Sequence, residues 1–140
     1  MIFRILQFFL IFIIFTNFSF ANNQYFQTGL ELFNSKKFDE ARFKFEQDIV
    51  FNPKNEMSYL YLAKIFKSLD KKELEEQNLN TVILLNPKNE EAIYNLAKLK
   101  LSVSDYKKST ELNEVLMNLC EKFCDQSRKL KIEIENLSKK

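Results

Sequence analysis

From residue 25 onward, apolar side chains recur at helical spacing between short polar stretches. Phe38, Ala41, Phe45 and Ile49 step by three, four and four, which marks one buried helical face. The polar run Asn34-Ser35-Lys36-Lys37 precedes them and suits a connection between two helices. The layout then returns. Tyr25, Tyr59 and Ile93 stand 34 residues apart, as do Gly29, Ala63 and Ala97, and Leu62 and Leu96 share another repeated place. Two copies of Asn-Pro-Lys-Asn, at Asn52–Asn55 and Asn86–Asn89, keep the same interval. A period of about 34 residues predicts stacked helical hairpins, an all-α solenoid. We divide it into three repeats, 22–55, 56–89 and 90–123. Beyond them Phe123, Leu130, Ile134 and Leu137 predict a polar-faced helix over 124–140 that caps the stack, with Asp125 as its N-cap. An unbroken helix from Tyr106 to Leu137 also satisfies the spacing, through Leu112, Leu116, Leu119 and Phe123. It would far exceed the usual ~12 residues, so a break is expected at Glu121–Asp125.

Gly29, Ala63 and Ala97 fall where two helices of a hairpin approach closely, so Gly29→Ala is expected to be accepted. Pro53 and Pro87 close the first two hairpins, since proline cannot continue a helix. These residues resemble the tetratricopeptide repeat family. Tyr25, Gly29, Ala41, Phe45 and Pro53 occupy the family's aromatic, small, alanine, aromatic and proline places in the first unit. Glu75 departs from the alanine place in the second unit; Ser109, Asn113 and Glu121 depart from the alanine, aromatic and proline places in the third. Leu79, Val82, Ile83 and Leu85 still give the second unit an apolar face, and Leu96, Ala97, Tyr106 and Leu116 keep their places in the third.

The resemblance implies a protein or peptide partner held along the first helices of the units. The positions that commonly meet ligand are Asn23, Phe26 and Leu30, then Leu60, Lys64 and Lys67, then Tyr94 and Lys98. Such a face is apolar at one end and basic at the other, and would suit a peptide with an apolar anchor and a carboxylate. The alternative is that its apolar members pack on neighbouring repeats and its lysines are merely solvated. One subtype of the family clamps terminal carboxylates with lysine and asparagine where this chain has Phe26 and Leu30, so that specific activity is not expected.

The first residues change the picture of where this happens. Arg4 precedes an apolar run, Ile5–Phe15, broken by Gln7, and Ser19 and Ala21 follow. That is the pattern of a signal peptide, 1–21, cleaved after Ala21. An uncleaved anchor is the alternative, but Phe8–Phe15 is short against the roughly 20 apolar residues of a spanning helix. The expected product is periplasmic or secreted, with no membrane attachment after cleavage. Taking Arg4 from 21 basic residues leaves 20 against 19 acidic ones, a net +1, which argues against nucleic acid as a partner.

The chain has no histidine and a single glycine, Gly29, which disfavours general-base, metal and phosphate-loop chemistry. No catalytic set, metal site or cofactor is expected. Glu75-Glu76 and Glu90-Glu91 are adjacent pairs whose members do not face each other on a helix; Glu90-Glu91 suits a helix start. Of 15 phenylalanines, 7 lie in the first 21 residues and most others at packing positions, so they are no stacking platform. Cys120 and Cys124 bracket the place of the missing third proline. They can form a disulfide around a turn in an oxidising compartment, or remain reduced as small buried hydrophobes. The expected function is a non-catalytic, exported adaptor or scaffold. A self-associating structural component of an envelope complex is the alternative.

Overall fold

The computed structural model describes residues 24–139; the expected signal peptide, 1–21, and Asn23 lie outside them. The described residues form seven helices and no strand: α1 Gln24–Asn34, α2 Phe38–Phe51, α3 Glu56–Ser68, α4 Lys72–Leu85, α5 Glu90–Ser102, α6 Tyr106–Leu119 and α7 Cys124–Leu137. None is long and apolar enough to cross a membrane. The chain forms two compact units, divided after Ser58 within α3.

The turns explain the period. Lys36, Asp70 and Ser104 stand 34 residues apart, and each adopts the left-handed conformation, with φ of 59°, 52° and 62°. The following N–H of Lys37, Lys71 or Asp105 donates to the carbonyl of Leu32, Phe66 or Lys100 at 2.9 Å. A left-handed residue that lets the next N–H reach back into the last turn is a helix stop, and glycine usually takes the position. The Asn-Pro-Lys-Asn segments make a second repeated turn. The N–H of Asn55 donates to the Asn52 carbonyl, and that of Asn89 to the Asn86 carbonyl, both at 3.0 Å. Asn89 then caps α5, its Oδ1 accepting from the Ala92 N–H at 3.0 Å.

In the first unit α1 packs on α2. A Cβ on Gly29 would come within 2.7 Å of the buried Phe45 ring. The expectation that alanine is interchangeable there is therefore corrected. Ala63 and Ala97 are paired in sequence with the smaller Leu79 and Asn113, whereas Gly29 is paired with phenylalanine. Aromatic rings fill the rest: Phe26 lies 5.8 Å from Phe45, and Tyr25 stacks on Phe51 at 5.4 Å. Asp48, fully buried, accepts from Ser58 Oγ at 2.6 Å and Asn55 Nδ2 at 2.7 Å.

In the second unit α5 packs on α4 and α6, and α7 packs on α6 and α5. Ala97, Leu101, Leu130 and Ile134 form a core with Tyr94, Tyr106, Leu112 and Leu137 around it. Glu75 does not disturb α4, which starts at Lys72. Asn113, 3% exposed, is matched by a polar partner: Ser127 Oγ donates to Asn113 Oδ1 at 2.9 Å, and Asn113 Nδ2 to the Ser127 carbonyl at 3.2 Å. Ser109 Oγ donates to the Ala97 carbonyl at 2.9 Å. α6 ends at Leu119 and α7 begins at Cys124, so the chain breaks over 120–123, overlapping the expected window. Phe123 takes the N-cap place of α7 without a side-chain bond, and Asp125 sits in the first turn instead.

Candidate partner-binding site

In the first unit Phe26 and Leu30 are half-buried on α1, with Phe26 turned toward Phe45. In the second unit Leu60 is buried, so it supports the helix rather than offering surface. Tyr94 is half-buried, its ring 5.5 Å from Phe123 and packed against the core beneath α7.

The three lysines do not form a bare basic patch. Lys64 Nζ lies 2.8 Å from Glu91 Oε1 and 4.7 Å from the Tyr61 ring centroid. Lys67 Nζ donates to Asn95 Oδ1 at 3.1 Å. Lys98 Nζ donates to both Glu133 carboxylate oxygens, at 2.8 and 2.7 Å. Each lysine thus reaches from one first helix to the next: α3 to α5, and α5 to α7. These pairs are partly solvated. Such pairs contribute roughly 0–1 kcal/mol each, so a partner can displace them at small cost.

Two buried carboxylates, Glu75 and Glu90, are not among the residues that the sequence assigns to the partner-binding face. Glu90, 8% exposed, starts α5 but reaches the turn before α7. Its carboxylate accepts from the backbone N–H of Glu121, of Lys122 at 2.7 Å and of Phe123 at 2.8 Å. Burial is the largest single influence and pushes its pKa up. The three N–H bonds and the charge of Lys122 together outweigh it, and the carboxyl titrates below its ordinary value. A sequence signal existed. Proline has no N–H, and Glu121 stands where Pro53 and Pro87 stand in the earlier units. The same turn is closed by the Cys120–Cys124 disulfide, with Cα atoms 4.9 Å apart. Cys120 is left-handed, φ 36°, whereas its counterparts Asn52 and Asn86 are not.

Glu75 is the opposite case. It is 4% exposed, and among the described residues no group hydrogen-bonds or ion-pairs with its carboxylate. Burial pushes its pKa up; the charges of Lys67 and Lys72 pull it down without prevailing, and Asp70 adds to the rise. Glu75 lines a cleft of about 340 Å³ with Lys67, Asp70, Lys72, Lys98 and Ser102. No group of histidine, cysteine, aspartate or glutamate among the described residues is arranged to hold a metal ion.

No protein-family model matches the chain, and no curated protein matches it in sequence. Solved structures do match in fold. The tetratricopeptide repeat domain of Arabidopsis OM64 is 21% identical, covers 81% of this chain and 96% of its own, and has a TM-score of 0.70. The TPR2B domain of yeast Sti1, solved as a complex with pHsp70, is 15% identical, covers 83% and 97%, and has a TM-score of 0.76. The Yersinia enterocolitica type III secretion chaperone SycD, in complex with a peptide of the translocator YopD, is 15% identical, covers 84% and 94%, and has a TM-score of 0.74. At these identities the likeness defines the fold. The chain is an α-solenoid with the tetratricopeptide repeat architecture.

Proposed function

We propose that this protein is a non-catalytic adaptor or scaffold that holds a protein or peptide partner along the α3, α5 and α7 face. One observation carries the reading: domains of this fold were solved with a peptide of the translocator YopD and in a complex with pHsp70. The face itself supports it. Lys64, Lys67 and Lys98 point from helix to helix through weak, exchangeable pairs, and Glu75 lines the adjoining cleft. We further propose that the protein works in the cell envelope, periplasmic or secreted. The apolar leader pattern and the paired cysteines support this, since disulfides persist in oxidising compartments.

The test is a selection of peptides from a displayed library, followed by NMR mapping of the selected peptide. Perturbed amides should cluster at Lys64, Lys67, Tyr94 and Lys98, and the triple change of the lysines to glutamine should weaken capture with little loss of stability. Perturbations confined to other surfaces would overturn the reading.

A second reading, self-association, has its own observation. α6 and α7 expose Val115, Met117 and Ile132, and Met117 and Ile134 line a cleft of about 360 Å³ between them. A dimer in sedimentation that Met117→Lys dissolves would favour it; a monomer at every concentration would remove it.

A further inference from the structure

Packing does not require a carboxylate at residue 75. Ala41 and Ser109, 34 residues to either side, fill the same place in the other hairpins and are fully buried. Ser109 satisfies its hydroxyl within the helix pair, and Ala41 has nothing to satisfy. Glu75 is 4% exposed as a residue and no group of the fold donates to its carboxylate, which reaches solvent only through the cleft. The nearby lysines do not supply a donor. Lys98 pairs with Glu133 and Lys67 with Asn95 in this arrangement, and Lys67 and Lys72 act on Glu75 only through their charge.

We propose that the cleft beside Glu75 is a subsite for a cationic side chain, the ammonium or guanidinium of a lysine or arginine on the bound partner. The inference rests on the peptide-binding reading above and names the chemistry that one part of the face selects. The cation donates to the Glu75 carboxylate and neutralises it. Asp70 adds a second carboxylate at the rim, and the Ser102 hydroxyl a further acceptor. Leu99, on the same wall, offers an apolar surface to the methylene stem. A volume of about 340 Å³ is at the low end for small-molecule sites and fits one long side chain. An anion could pair with Lys67, Lys72 or Lys98 on the same wall, but it would leave Glu75 without a donor. A neutral amide would supply a donor and leave the charge.

The experiment titrates the full mature protein with N-acetyl-lysine amide, N-acetyl-arginine amide, N-acetyl-norleucine amide and N-acetyl-glutamate amide. The readout is the Glu75 side-chain carboxyl ¹³C resonance together with the Asp70 and Ser102 amides. One or both cationic probes should move all three, saturably in the millimolar range. The two others should not, and Glu75→Gln should abolish the response. Comparing the two cationic probes tells ammonium from guanidinium. Glu75→Ala guards against misfolding: its melting temperature should equal or exceed the parent's. A lower one would mean that the carboxylate is held inside the fold, and would overturn the proposal. So would a response to the glutamate or norleucine probe alone, or to none. Selected peptides that still bind α3 and α5 while both cationic probes fail would remove the subsite and leave the adaptor. Probes that bind where no peptide is captured would do the reverse.

Discussion

Glu75 and Glu90 are both buried glutamates at the start of helices in the same unit, yet their surroundings are opposite. Glu90 faces three backbone donors in a turn closed by a disulfide. Glu75 faces a cleft and has none. Burial acts on both and pushes both pKa values up; donors reverse the outcome only at Glu90. Burial alone therefore does not say what a carboxylate is for. Where the fold supplies the donors, the carboxylate fastens the fold. Where the fold withholds them, as at Glu75, we propose that a partner supplies them.

The largest effect should come from removing the fastening. Glu90→Ala deprives three N–H groups of a charged acceptor and should cost about 2 kcal/mol, measured by denaturant unfolding. Replacing Cys120 and Cys124 by serine opens a five-residue loop and should also cost about 2 kcal/mol on the chain-entropy account. Because both hold the same turn, the combined variant should lose less than the two costs added. Strict additivity would break the view that they act as one device.

A variant in the first unit shows how packing, in contrast to charge, fails. Gly29→Ala should cost ~1–2 kcal/mol through overpacking against Phe45, net of alanine's better helix propensity. Adding Phe45→Leu, which copies the Ala63 and Leu79 pairing, should make alanine at 29 harmless. Equal cost in both backgrounds would show that the clash lies elsewhere.

Glu75→Ala should gain stability by about 1 kcal/mol, the reverse sign of Glu90→Ala. The pH dependence sharpens the contrast. A lowered folded pKa at Glu90 means stability that is present above the unfolded value of about 4.3 and lost as pH falls through the folded value. A raised folded pKa at Glu75 means stability that is present below the unfolded value and lost as pH rises through the folded one. Glu90→Gln should therefore flatten the acid limb of the stability profile. Glu75→Gln should remove a decline on its weakly acidic side.

How far the sequence reveals this depends on range. The period was legible because each turn is local: left-handed Lys36, Asp70 and Ser104, and the twice-used Asn-Pro-Lys-Asn turn, rest on neighbours within a few residues. The helix pattern and the break before α7 were legible for the same reason. Glu90 was not, because its donors lie 31 to 33 residues away and are backbone groups that any non-proline residue offers. Asn113 reads in the sequence as a lost aromatic place, and only its contact with Ser127 shows what compensates it. The lysines of the candidate face were named from the resemblance, but their partners Glu91, Asn95 and Glu133 depend on how successive helices stack. Glu75 was noticed as a departure from alanine; the cleft that gives the departure meaning is tertiary.

The most direct measurement is a pH titration of the side-chain carboxyl ¹³C resonances of Glu75 and Glu90 in the folded protein. Glu75 is expected to titrate above, and Glu90 below, the ordinary value of a glutamate. Equal midpoints, or the reverse order, would contradict this, because the fold would then be supplying donors to the carboxylate assigned to a partner.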